Sequence, residues 1–379
     1  MKYPVVIVGG GINALGVARS LGPYALCTLV FSGKNSPASH SRYVKPHPVA
    51  STSLPSLVDD LLVLARSFKQ QPLLIITEEK AVYQIAKAQK ILAKHYLINL
   101  PSIELVCHLQ NKADFYQISC KHKAPVPVTM TISCEDDILK AYKMHFPCVF
   151  KPLEQNAEYG RNFKKAYKVQ SVEEVKQLYK RIKPILNDMI LQQWIEGDDS
   201  DIYFSIIYYD QNSNPVSSFT GRKLRSWPVN VGGTASCINA PETAHVLEPI
   251  CHKFFKAIHY KGLVGMEFKK DKISGEFIMV EPTVGRTDFQ HEIATLSGVN
   301  ILKSMLYHFI KHPIPQSKNS SSPIVWQEFI SDSLSMKTSG KTGFPENAKV
   351  YQAIKRWNDP MPYIHQLFTR IKNKLGLKG

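Results

Sequence analysis

No apolar run in the chain approaches the roughly 18 residues that span a bilayer. The opening, Lys2 and then Val5-Val6-Ile7-Val8 before a glycine run, reads as a strand and turn and not as a secretion signal. The seven cysteines are scattered, without a Cys-x-x-Cys pair. They lack the spacing of a zinc or disulfide framework and fit free thiols in a reducing cytoplasm. No Ser-His-Asp or Cys-His order is evident, and His291-Glu292 lacks the second histidine of a zinc peptidase, so covalent nucleophilic catalysis has no support. Internal repeats and long low-complexity tracts are missing as well. Acidic residues are scarce: 31 Asp and Glu stand against 47 Lys and Arg, a formal charge of +16, and the first acidic residue is Asp59.

With 44% hydrophobic and 21% charged residues in a length of 379, the composition is that of a globular protein of two or three domains. The charge favours acidic partners: nucleotides, an acidic polysaccharide, nucleic acid or an anionic membrane surface. Nucleic acid is disfavoured, because the basic residues are spread out and lack interleaved aromatics. The expected location is cytoplasmic, with peripheral attachment at the inner face of the membrane as an extension of the charge reading.

The first strand, residues 4–9, runs into Gly9-Gly10-Gly11 and a helix over 13–21, and a second strand covers 26–31. This β-α-β start predicts an α/β class with a Rossmann-like parallel sheet, in a first domain over 1–108. GGGINALG at 9–16 is a loose dinucleotide fingerprint, and a glycine turn feeding a helix can hold a phosphate. No acidic residue follows at the distance that would hold a ribose, which argues against NAD; Lys34 leaves NADP open. The other reading is a glycine turn that permits close strand–helix packing. Further on, Ser133 reads as a helix cap, Ser171 with Glu174 as a capping box, and 312–324 as a Pro/Ser-rich linker. A basic tail follows: residues 313–379 carry ten Lys and Arg against four Asp and Glu, with a basic stretch from Arg370 to Lys378.

The most informative stretch is GLVGMEFKKDKISGEFIMVEPTVGR, 262–286. Two strand-like apolar runs flank a turn at Ser274-Gly275, and each carries a glutamate, Glu267 or Glu281. A carboxylate in such a run is costly to bury unless a cation meets it, and paired carboxylates hold hard cations through oxygen. With Arg286 beside them, they suggest a phosphate site bridged by magnesium.

Five segments recur in order: Lys112 opening a helix, the loop Ala124 to Pro127, Lys151-Pro152 ending a strand, Gln193 to Gly197, and the two glutamate strands. With this set the chain resembles the ATP-grasp superfamily of carboxylate–amine ligases over roughly residues 1–312. It looks closest to the D-aspartate ligase-like and carbamoyl-phosphate-synthetase-like branch. The resemblance implies an N-terminal Rossmann-like domain (1–108), a two-lobed ATP-grasp domain (109–312, lobes about 109–200 and 201–312), and a linker with a small basic C-terminal extension (313–379). It implies that Lys112 and Lys151 contact ATP phosphates and the adenine edge, that Gln192, Gln193, Trp194 and Ile195 form the adenine hinge, and that Asp199 or Asp201, with Glu196 as a further candidate, holds the ribose. Glu267 and Glu281 become magnesium ligands. Thr283 stands where the family's E-x-N-x-R pattern has asparagine, and Arg286 lies one residue further along, which leaves one or two ions open. Arg222, Lys223 and Arg225 of GRKLRSWP would clamp the carboxylate substrate or its acyl phosphate.

The activity so implied uses ATP and Mg2+ to couple a carboxylate, small or polymer-linked, to an amine such as an amino acid, with a homodimer among the expected assemblies. The alternatives are a non-catalytic nucleotide-binding regulator on the same fold, which Thr283 permits, and an NADP-dependent oxidoreductase.

Overall fold

The structure is a computed structural model that describes residues 2–374 apart from Asn35, Gln155, Val231 and Lys318. Residues 375–379, the end of the expected basic stretch, lie outside the described residues. The chain divides into two units: 1–106 with 204–266 and 283–379, and 107–203 with 267–282.

The first unit opens with a four-stranded parallel sheet. Its strands are β1 (Tyr3–Val8), β2 (Ala25–Phe31), β3 (Val44–Pro48) and β4 (Leu73–Ile76), in the order β3-β2-β1-β4. Val5 to Val8 are fully buried, as the central strand of a parallel sheet requires. Strand β3, VKPHP, is not legible as a strand from sequence. It is tolerated because it lies at the edge, where Pro46 and Pro48 need not donate. The helix Ile12–Leu21 packs its Ala14, Leu15, Val17 and Ala18 into the core of this unit, with Leu29, Phe219, Ile293, Met305 and Trp326.

The second unit carries an antiparallel sheet of β5 (Thr129–Ile132), β6 (Cys148–Pro152), β7 (Tyr167–Val169) and β8 (Met189–Gln193), in the order β5-β8-β6-β7. Its core joins Phe150, Met189 and Leu191 to Val172, Val175, Tyr179 and Ile182 of the helix Val172–Ile182. The Ser171 hydroxyl caps that helix by accepting from Glu174 N (3.3 Å), while the Glu174 carboxylate accepts from Gln170 N (2.8 Å), one residue before the cap. Ser133 is not a cap. The helix there is Glu135–Lys140, its N-cap is Cys134, and the Asp137 carboxylate accepts from Ser133 N instead.

A seven-stranded sheet completes the fold, with β9 (Ile202–Tyr209), β10 (Pro215–Trp227), β11 (Gly233–Asn239), β12 (Gly262–Lys270), β13 (Phe277–Val284), β14 (Ile324–Gln327) and β15 (Lys349–Gln352) in the order β13-β12-β9-β10-β11-β14-β15. The unit boundaries fall inside β9, β12 and β13. The expectation of a separate extension after 313 is corrected here. β14 pairs with β11 and β15 with β14, Trp326 is fully buried, and the buried Asp359 carboxylate accepts from Arg19 Nε (3.0 Å), Ser41 Oγ (2.8 Å) and Arg42 N (2.9 Å). The tail completes the first unit's sheet and core.

Candidate functional site

Most of the expected nucleotide residues lie in the second unit. Asn111 caps the helix Lys112–Lys121, its Oδ1 accepting from Ala113 N and Asp114 N. This places Lys112 in the first turn, where its Nζ donates to Leu153 O (3.2 Å). Lys151 comes from the end of β6, and its Nζ donates to Gln192 Oε1 on β8 (3.0 Å). Burial pushes the Lys151 ammonium down to about 8; Glu281 and Glu267 act in the opposite sense, and Lys112 and Lys165 add to the lowering. These five charges therefore share one electrostatic neighbourhood. Glu267 on β12 is half-buried, whereas Glu281 on the neighbouring β13 is exposed.

Gln192 is engaged at both ends, since its Nε2 also donates to Thr129 Oγ1 (2.8 Å). Its side chain thus supports Lys151 and does not present a free acceptor to a base. Gln193 N donates to Val128 O and Trp194 N to Pro147 O (2.8 and 3.1 Å). Ile195 follows them outside the strand, the remaining hinge position of the expected set. Lys168 and Lys269 lie over the Trp194 ring, 4.4 and 4.8 Å from its centroid, and Lys168 also pairs with Glu196 (3.0 Å).

Sequence reasoning missed Lys272. It bonds Asp198 (3.0 Å) and lies 3.3 Å from Asp201, while its own N–H donates to Glu196 O. Asp201 also accepts from Asp198 N (2.7 Å). Of the two ribose candidates, Asp201 is therefore engaged within the turn, and Asp199 is buried at 6% exposure. Gly197, at φ +148°, permits this packing: a Cβ would meet Asp201 and the carbonyl of Lys270 at 3.0 and 3.2 Å.

The remaining candidates belong to the first unit. Thr283 Oγ1 donates to Asp288 Oδ1 (3.3 Å), and the other Asp288 oxygen is 3.0 Å from where a Cβ on Gly265 would lie. Asp288 was not legible, because only folding brings it back over β12. Arg286 donates to Thr287 O (3.2 Å) and lies 3.6 Å from Glu79. Its segment is pinned by buried Asn13, whose Nδ2 donates to Thr77 O and Thr287 O and whose Oδ1 accepts from Thr287 Oγ1.

On β10, Arg222 is half-buried and Lys223 buried. Arg225 corrects the expectation of a substrate clamp. Its Nε and Nη2 donate to Asp332 (2.6 and 2.9 Å) and its Nη1 to Gly343 O (2.8 Å). Irregular pairing with β11 on both sides of Arg225 aligns it with Ser236, whose hydroxyl also donates to Asp332. The guanidinium is spent on the fold.

The glycine turn is filled by protein. Glu78 accepts from Gly10 N through Oε1 (3.1 Å) and from Thr52 Oγ1 through Oε2 (2.6 Å). A Cβ on Gly9 would lie 2.1 Å from Thr77 Oγ1, and one on Gly10 would lie 2.6 Å from Ser36 Oγ. A carboxylate thus stands at the helix N-terminus where a dinucleotide phosphate would bind, so the glycines serve close packing and the NADP reading loses its site.

The sequence matches no family model and no curated protein sequence. Its structure is similar to an N5-carboxyaminoimidazole synthetase from Staphylococcus aureus complexed with ADP (14% identity, 90% of this chain and 86% of that one, TM-score 0.67). It is also similar to a biotin carboxylase–β-γ-ATP complex from Campylobacter jejuni (16% identity, 84% and 74%, TM-score 0.64) and to an ADP complex of an N5-carboxyaminoimidazole ribonucleotide synthetase (15% identity, 86% and 81%, TM-score 0.65). The element order, the two units and these likenesses together establish that the chain has the ATP-grasp fold.

Proposed function

We propose that the protein is an ATP-dependent carboxylate–amine ligase of the D-aspartate ligase-like or carbamoyl-phosphate-synthetase-like branch. The observation that carries this reading is the half-buried Lys151, its ammonium held by Gln192 within the influence of Glu267 and Glu281. A lysine whose ammonium is withdrawn from water and depressed in pKa is costly, and such groups cluster where an anion is bound. Solved structures of the same fold with ADP or an ATP ligand support it.

In this reading Lys112 and Lys151 hold phosphates, the Ile195 backbone reads the adenine edge beside Trp194, and Asp199 meets the ribose. Glu267 and Glu281 are hard oxygen donors suited to magnesium, with Thr283 as a neutral third oxygen. Among the described residues, no three His, Cys, Asp or Glu side chains gather into a metal cluster. That fits an ion whose coordination is completed by nucleotide phosphate and not a resident metal. When bound, the ion would neutralise charge developing on the γ-phosphoryl group.

A substrate carboxylate oxygen attacks the γ-phosphorus, the bond to the bridging oxygen breaks, and ADP leaves. The amine nitrogen then attacks the acyl carbon, phosphate departs, and the nitrogen loses a proton. Arg222, Lys223 and Arg286 supply positive charge to the carboxylate and acyl phosphate, so the chain contributes position and electrostatics and no covalent nucleophile. The acid is small or polymer-linked, the amine resembles an amino acid, and the working form is a homodimer facing an acidic polymer or membrane surface.

The Thr283–Asp288 hydrogen bond favours one second reading, a nucleotide-binding regulator without turnover, since it draws the threonine oxygen toward a protein partner. Thermal unfolding with Mg-ATP, against NADP as control, tests the site by mass action, and ADP release on adding acids and amines separates ligase from regulator. A shift with NADP and none with Mg-ATP would sink both readings.

A further inference from the structure

The C-terminal helix Met361–Lys374 turns Pro362 inward, and Tyr363 packs against the core of the first unit. On the other side it leaves Met361 (51% exposed), Ile364, Leu367, Phe368 (60%) and Ile371 (53%) in solvent. That spacing is one stripe of a 3.6-residue helix. The same periodicity sets Arg370 and Lys372 on either side of the stripe. Trp357, 91% exposed, lies in the turn that leads into the helix, and Lys355 Nζ lies 5.7 Å from its ring centroid.

The neighbouring surface is basic. Asp359 accepts from Arg42 N, and Asn358 Nδ2 is 3.5 Å from Tyr43 Oη, so the stripe begins beside Arg42 and Tyr43. These two residues line an open groove of about 1010 Å³ whose walls include Lys2, Lys45 and His47 and no acidic residue. Pro46 and Pro48 in edge strand β3 withhold the donors that a docking peptide strand would need. A second copy pairing through the stripe would bring two basic flanks together.

We propose that this face binds an anionic bilayer surface: the stripe with Trp357 enters the headgroup boundary, and Arg42, Lys45, Lys355, Arg370 and Lys372 meet anionic headgroups. An apolar face flanked by lysine and arginine and carrying tryptophan and phenylalanine is the composition of helices that lie in the interface plane. No helix among the described residues is long and apolar enough to cross a membrane. The proposal does not rest on the ligase reading, and its test contains no nucleotide.

Full-length protein is floated with vesicles of phosphatidylcholine alone and with about 30 mol% phosphatidylserine. Binding is expected to the anionic vesicles, with loss at about 0.5 M salt, where screening shortens to a few ångströms. Phe368→Asp should reduce it at least about tenfold, and Arg42→Glu with Lys45→Glu should remove the preference for phosphatidylserine. All these positions are exposed, so melting temperatures should match the parent and certify folding. The proposal falls if the parent binds neither vesicle, or if Phe368→Asp binds as well as the parent. It falls equally if the parent ignores lipid but sediments as a dimer that Phe368→Asp makes monomeric, since the stripe would then belong to a second copy.

Discussion

Replacing Lys151 with Met should make the nucleotide-free protein more stable while abolishing its response to ATP. Burial lowers the Lys151 ammonium from 10.5 to about 8, a difference of about 3 kcal/mol against the protonated folded form. The residue keeps part of its surface in water, so about half of that is the working value. Methionine fills a similar volume without the charge, but the bond to Gln192 Oε1 is lost, at about 1 kcal/mol. Gln192 keeps its bond to Thr129. The net gain is about 0.5–1 kcal/mol at pH 7. Its sign follows from the folded pKa lying below the unfolded one: the advantage is full below pH 8 and fades between pH 8 and 10.5, as the unfolded lysine also loses its proton. Urea unfolding of both proteins across that range, without metal, measures it, and the melting shift with Mg-ATP reads the site. A variant that is less stable yet still responds to ATP would show that Lys151 is a structural lysine, and the reading of an anion site would fail.

Glu281→Gln, on an exposed position, should leave the ATP-free melting temperature unchanged, remove the magnesium-dependent part of the ATP shift, and slow ligation at least about a hundredfold. Arg225→Ala should destabilise the first unit by about 3–5 kcal/mol, because it leaves the fully buried Asp332 carboxylate unpaired. Adding Asp332→Leu should recover most of that loss by denaturant titration, and no recovery would show that packing, not charge, was lost. His291 is fully enclosed, its Nε2 has no hydrogen-bond partner among the described residues, and burial holds it down to about 4. Below pH 6.5 only the unfolded chain takes up this proton, so about 3 kcal/mol of stability should drain away between pH 6.5 and 4. His291→Gln should flatten that part of the pH–stability profile relative to the parent.

The class of fold was legible in the sequence, and so was the order of segments on which the proposed nucleotide site rests. The continuous apolar runs, the Ser171 cap, and the order of Lys112, Lys151, Gln193–Gly197, Glu267 and Glu281 depend on neighbours a few residues away, where periodicity and capping chemistry act. What lay further apart was decided by the tertiary structure alone. Glu78 reaches the glycine turn across 68 residues, Asp332 captures Arg225 across 107, and Asp359 meets Arg19 across 340. A carboxylate has no local signature that names its partner, because ion pairing depends on distance in space and not along the chain. For the same reason the strand-like start of the tail at 325 looked like part of an appendage, and only its pairing beside Ser236–Ile238 ties it to the sheet. The Pro/Ser-rich segment before it is a true break in local structure, but only the packing of Trp326 into the core shows to which body the chain returns.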